Sequence, residues 1–243
     1  MRILASSLVL ALFLTAANVN ATSCRISNKT GPVDAPLMVA VWQGDIQKVT
    51  QFIRSGTDLN TKFQYCPHAD SVLETTPLLN AVWAVKSSFV GQGHEEMVEF
   101  LLRNGASPNF TVDGYSPLHM AVSFADLKVV QLLLQYGAKV DVGDHGQSPI
   151  LVAARNEEST SLVPVLIAAG ADVNARDGLG SNAISIAAGQ HNLDGMKLFL
   201  NLGVDPCVKD QDGRTAIYWA ELNLNDDPGK QEMIALLKSR CGG

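Results

Sequence analysis

The residues of this 243-residue chain that could do chemistry are five histidines, four cysteines and a scatter of carboxylates. A zinc hydrolase places two histidines one helical turn apart around a glutamate. His94-Glu95-Glu96-Met97-Val98 supplies the first half of that pattern, but Val98 stands where the second histidine belongs. His68, His119, His145 and His191 are too dispersed to share a metal. No GxSxG elbow, Walker loop, GxGxxG or CxxC is present. Asp210-Gln211-Asp212-Gly213 opens like a calcium loop, yet no glutamate closes it at the needed distance. The expectation is a non-enzyme with no catalytic residue, no metal site and no cofactor.

The cysteines speak of location instead. Residues 1–21 hold one early positive charge at Arg2, an uncharged run from Ile3 to Ala17, and small residues at Val19 and Ala21. That is the build of a secretory signal peptide cleaved after Ala21. It is too short and too interrupted, by Asn18 and Asn20, for a retained membrane span. Export delivers the chain to an oxidising compartment, the periplasm in this reading, where Cys24, Cys66, Cys207 and Cys241 can pair in three ways. Ala21-Thr22-Ser23-Cys24 is a weak lipobox, so a lipoprotein anchored through Cys24 is the alternative. The sequons at Asn28 and Asn109 bear only on a eukaryotic secretory route.

Composition narrows the partners. At 47% hydrophobic and 17% charged the chain has enough apolar residues to fold. Eighteen basic against 24 acidic residues give a net charge of −6 with no cationic cluster, which excludes a phosphate backbone as a natural ligand.

Internal repetition is the strongest signal. Ser116-Pro117-Leu118-His119-Met120-Ala121 recurs with starts at residues 35, 76, 148, 182 and 215, and Leu133-Leu134-Gln135-Tyr136-Gly137-Ala138 recurs in phase behind it. Each unit reads as two helices. Ser or Thr caps the first and Pro occupies its opening turn. Val130, Leu133 and Leu134 line one stripe of the second, and Gly137 ends it. Asp113-Gly114 and Asp212-Gly213 then turn the chain onward. One such unit cannot bury its own stripe, so copies must stack. Residues 63–75 and 84–92 interrupt the period as insertions, and Pro164 must fall in the first turn of its helix.

This pattern of about 33 residues resembles the ankyrin repeat family over residues 35–241. The resemblance implies an all-α ankyrin-repeat solenoid of about six helix-turn-helix repeats with short finger turns, preceded by a cap segment at 22–34. It implies structural roles for His94 and His119, each bonding to backbone between turns. In such a stack Cys207 lies within reach of Cys241, and Cys24 of Cys66, so each end carries a staple; lipidation of Cys24 would leave Cys66 unpaired.

In the family the finger turns and the residues after the alanine pair form a groove for a protein partner. Carried onto this chain, the post-alanine positions are Trp42, Trp83, Phe124, Arg155 and Asn156, and the fingers add Phe110, Tyr115, His145 and Arg214. The competing reading packs the three rings at 42, 83 and 124 under the insertion or into the core. Exported ankyrin proteins include immunity proteins that hold a secreted lipase toxin of a type VI system inactive in the periplasm, and others that support stress enzymes such as catalase. The first role is the specific expectation here; accessory support and a secreted host-directed effector are the alternatives. The free chain is expected to be a monomer.

Overall fold

The computed structural model describes residues 36–68, 71–85, 94–112, 114–141, 148–222 and 228–242. Among these, thirteen helices and one two-stranded sheet fall into two compact units, Met1–Ser107 and Pro108–Gly243.

In the first unit α1 (Pro36–Trp42) and α2 (Ile46–Arg54) make one hairpin, and α3 (Pro77–Val85) and α4 (His94–Arg103) the next. Leu37, Ala40 and Val41 lie at i, i+3 and i+4 and are all buried, so α1 packs against both α2 and α3. The Thr76 hydroxyl caps α3 by accepting the Leu79 N–H at 3.2 Å. Between these hairpins the first insertion forms an antiparallel pair, β1 (Phe63–His68) and β2 (Ser71–Thr75). Its alternation of Phe63, Gln64, Tyr65 and Cys66 has strand period. The register slips between Tyr65 and His68, where Pro67 has no N–H to give the ladder. Lys62 and Glu74 pair at 2.8 Å across the mouth of this hairpin. Of the second insertion, Ala84 and Val85 extend α3 and residues 86–92 lie outside the described residues.

The second unit contains α5 (Pro117–Ser123), α6 (Leu127–Gln135), α7 (Pro149–Ala153), α8 (Glu157–Thr160), α9 (Val163–Ala168), α10 (Ala183–Gly189), α11 (Leu193–Asn201), α12 (Ala216–Leu222) and α13 (Pro228–Cys241). The inner helices stack in series, α5 on α7, α7 on α10 and α10 on α12. Fully buried Ala121, Ala153, Ala187 and Ala220 let their backbones approach. The outer helix of the second hairpin is split into α8 and α9. Mid-helix, Pro164 would clash with the carbonyl of Thr160; a fresh start after Leu162 puts it in the first turn of α9. Gly137 ends α6 at φ +85°, a conformation that strains any side chain. The core is apolar and filled by Leu133, Leu166, Met196, Phe199 and Leu237.

Within each unit polar side chains bridge neighbouring hairpins. His94 Nε2 donates to the Trp42 carbonyl at 2.9 Å. The Ser159 hydroxyl donates to the Val122 carbonyl at 2.7 Å, and Asn192 Nδ2 to the Ala154 carbonyl at 3.1 Å. Along the finger side Asn60 donates to the Gly105 carbonyl and accepts from the Ser107 N–H; Asn109 does the same with Gly137 and Lys139. The bonds of Ser159 and Asn192 answer backbone carbonyls that the stacking would otherwise leave buried and unpaired, while those of Asn60 and Asn109 lie at the surface.

Candidate protein-binding surface

The post-alanine positions end the inner helices, so the helix that buries its alanines also presents the residue that follows them. Trp42 closes α1 and Trp83 lies near the end of α3; both are half-buried, neither enclosed nor free. Phe124 caps α5, its N–H donating to the Met120 carbonyl, and it too is half-buried. Arg155 and Asn156 are exposed, and Asn156 Oδ1 accepts the Ser159 N–H at 2.6 Å to cap α8. Trp42 and Trp83 belong to the first unit; Phe124, Arg155 and Asn156 belong to the second.

The fingers of the second unit differ in how far their side chains are committed. Phe110 is half-buried. Tyr115 is exposed and meets His119 edge-on, with ring centroids 6.2 Å apart. His119 itself is fully buried, with Nδ1 accepting the Ser116 N–H at 3.1 Å and contacting its hydroxyl at 2.8 Å, so its role is to cap α5. His145 lies outside the described residues, as does Cys24, so the Cys24–Cys66 pairing has no described geometry.

Arg214 is the most engaged finger residue. Its Nε donates to Asp210 Oδ2 at 3.0 Å, its Nη2 pairs with Asp212, and its guanidinium lies 4.7 Å from the Trp219 ring centroid and 5.7 Å from that of Tyr218. Tyr218 and Trp219 meet edge-on at 5.4 Å. Asp210, which resembles a calcium-loop residue in sequence, spends Oδ1 on the N–H groups of Asp212 and Arg214. Burial pushes its carboxyl up, but the Arg214 N–H, the Arg214 guanidinium and the Asp212 N–H outweigh that and hold it below the usual carboxylate range. The aspartates therefore organise the arginine. Among the described residues no group of three or more His, Cys, Asp or Glu side chains is placed to hold a metal ion.

Sequence reasoning passed over the aromatics of this cluster. Tyr218 and Trp219 occupy the slots of His119 and Met120, both of which are buried in the third repeat. In the last hairpin the same slot leaves Tyr218 exposed, together with Leu222 one turn on. A disulfide joins Cys207 to Cys241 with the Cα atoms 5.5 Å apart, tying the C-terminal end of α13 to the preceding turn.

Stacked helical hairpins with projecting turns define a scaffold for gripping another macromolecule. A family model described as "Ankyrin repeats (3 copies)" matches residues 37–144 and again 150–242. The chain belongs to the ankyrin repeat family, and is a protein-binding module. It is similar to human Ankyrin repeat and SOCS box protein 6, at 35% identity over 61% of this chain and 38% of that protein. The Intracellular phospholipase A2 of Caenorhabditis elegans is 34% identical over 59% of this chain and 13% of its own length. The E3 ubiquitin-protein ligase KEG of Arabidopsis thaliana is 35% identical over 44% and 7%. The chain thus spans well under half the length of these curated relatives. Among the described residues no helix is long and apolar enough to cross a membrane.

Proposed function

We propose that this module works outside the cytosol as an immunity protein, binding a secreted lipase toxin and holding it inactive in the periplasm. The observation that carries the reading is the partial exposure of Trp42, Trp83 and Phe124, three rings at the positions where this family grips its partners. Large aromatics that keep solvent-facing area are the commonest anchors of protein interfaces. The apolar leader and the Cys207–Cys241 disulfide support an oxidising compartment. A repeat scaffold without a reactive constellation in its sequence inhibits by covering a site rather than by chemistry.

The test is to look for a lipase-like reading frame beside the gene for this chain and to reconstitute its product with the mature protein. The mature protein should suppress fatty-acid release from phospholipid vesicles, and a Trp42→Ala, Trp83→Ala, Phe124→Ala variant should bind at least about 100-fold more weakly with an unchanged far-UV CD spectrum. Unaltered affinity removes these rings as contact residues. Absence of both complex and inhibition removes the immunity role, and recovery from culture medium instead of periplasm favours a host-directed effector.

A further inference from the structure

Along the finger side the seams follow one rule until the middle of the second unit. Four residues beyond the glycine that follows each outer helix stands a side chain placed to meet the next such glycine. Asn60, in that slot after Gly56, donates to the Gly105 carbonyl at 3.1 Å and accepts the Ser107 N–H at 2.7 Å. Asn109, after Gly105, repeats both bonds with the Gly137 carbonyl at 2.9 Å and the Lys139 N–H at 2.8 Å. A carboxamide suits the slot because it carries a donor and an acceptor side by side, matching a carbonyl and an N–H two residues on.

After Gly137 the slot holds Asp141. A carboxylate has no hydrogen to give, so no rotamer of Asp141 can answer the Gly170 carbonyl. Among the described residues nothing donates to that carbonyl, accepts the Asp172 N–H or bonds to the Asp141 side chain. The next slot holds Asn174, exposed but still an amide that can swing in, and the last holds Cys207, tied covalently to Cys241. Of these five slots, that of Asp141 is the one the chain cannot complete for itself. A groove of 420 Å³ lies at this junction, between the turns that follow α6 and α9, lined by residues 138–141 with Ala169 and Gly170. Lys139 and Asp141 offset each other there, and Asp172 spends Oδ1 on the Asn174 N–H, so the groove favours neither an anion nor a cation.

We propose that this groove takes the neutral carboxamide of an Asn or Gln on a loop of the bound protein, in the role that Asn60 and Asn109 play at the other seams. One amide hydrogen goes to the Gly170 carbonyl and the second to the Asp141 carboxylate, while the amide oxygen accepts the Asp172 N–H. The groove is larger than one side chain, so the tip of the loop that carries it fits as well. This inference rests on the protein-binding reading above and adds one contact of stated chemistry.

The probe is N-acetyl-asparagine methylamide, with its aspartate twin as control, followed by NMR on the isotope-labelled mature chain. Each is titrated to about 200 mM, because a few hydrogen bonds at an open surface hold only weakly. The backbone amide signals of Gly170 and Asp172 should move at least about threefold further with the asparagine compound than with the aspartate one. Asp141→Asn lets the chain fill the groove itself: the probe's shifts should vanish, and exchange of the Asp172 N–H should slow about threefold or more. Asp141→Ala, which supplies no amide, should keep the shifts at reduced size and leave that exchange unslowed, which separates a filled junction from a damaged one. Equal shifts with the two compounds, no shift at all, or an Asp141→Asn variant that still responds overturns the inference. The immunity reading is judged by the lipase complex, which none of these outcomes touches.

Discussion

In the first unit the side chain that ties one hairpin to the next is a histidine, His94, donating to the Trp42 carbonyl. In the second unit the same task falls to Ser159 and Asn192, which donate to the carbonyls of Val122 and Ala154. Three different residues serve one backbone requirement, so any short donor that reaches the neighbouring carbonyl suffices. The units part company away from these seams. The first inserts a two-stranded β-hairpin, carries two half-buried tryptophans and is electrically neutral. The second carries the entire net charge, a disulfide and the Arg214 cluster. Shared seams mark what the stacking in both units needs, and the differences mark what is particular to each unit.

The sharpest way to break the comparison is to open a cavity in one unit and watch the other. Phe199 is fully buried on α11, and Phe199→Ala should destabilise the second unit by about 3–5 kcal/mol. Hydrogen exchange should accelerate most over residues 183–241 and least over 36–54, since repeats lend stability chiefly to neighbours. Equal acceleration throughout would show one cooperative body instead of two units.

Next in size is the covalent staple. Replacing Cys207 and Cys241 together by Ser removes a link across 34 residues. It should cost about 2–4 kcal/mol, concentrated in α13. Reductant should reproduce that loss in α13 of the parent protein and leave α13 of the Ser variant unmoved. If the double variant melts like the parent, packing of Met233 and Leu237 and the ion pairs of Glu232 and Lys238 hold the C-terminal end without the disulfide.

A smaller effect tests the seams. Asn192 is buried, donates to the Ala154 carbonyl and to Thr160 Oγ1, and accepts the Gly195 N–H. A Cβ at Gly195 would come within 2.3 Å of the Asn192 amide, so the pair is mutually required. Asn192→Ala strands a buried carbonyl and a helix N-terminus, and should cost about 1–3 kcal/mol by urea unfolding. His at this position should recover part of it, as His94 serves the first unit. No recovery would mean that the two seams differ in spacing as well as in residue.

Much of this was legible in the residues. Thr76-Pro77, Ser116-Pro117 and Ser148-Pro149 announce helix starts through local chemistry alone, and Pro164 announces a forced restart. What periodicity cannot give is depth: it assigns Trp42, Trp83 and Phe124 to a face, while their half-burial depends on neighbours distant in sequence. The β-hairpin was hidden because Pro67 breaks a short alternation that already sits outside the repeat. Arg214 reads as a free fingertip until its three-dimensional company is seen. Asp210 and Asp212 are only four and two residues away, but their turn chemistry masks their second role as its partners. Tyr218 is exposed at a slot where His119, Leu151 and Ser185 are buried, a difference of neighbours that the repeat pattern does not carry.

The subtlest expected effect concerns that same turn. Asp210 has its carboxyl held below the ordinary range by the Arg214 N–H and guanidinium and by the Asp212 N–H, against a burial that works the other way. A carboxyl whose folded value lies below its unfolded one lends stability at pH above about 4, the unfolded value, and loses it as pH falls through the lower folded value. Asp210→Asn should therefore be less stable than the parent at pH 7, with a constant gap down to about pH 4 and a narrowing one below it. No comparable carboxylate-to-arginine turn is described in the first unit, so the narrowing should appear in exchange from residues 177–220 and not from 36–54. A gap that stays constant to the acid limit would mean that Asn replaces the aspartate's hydrogen bonds to the turn, and that the arginine's charge adds nothing to its hold on Tyr218 and Trp219.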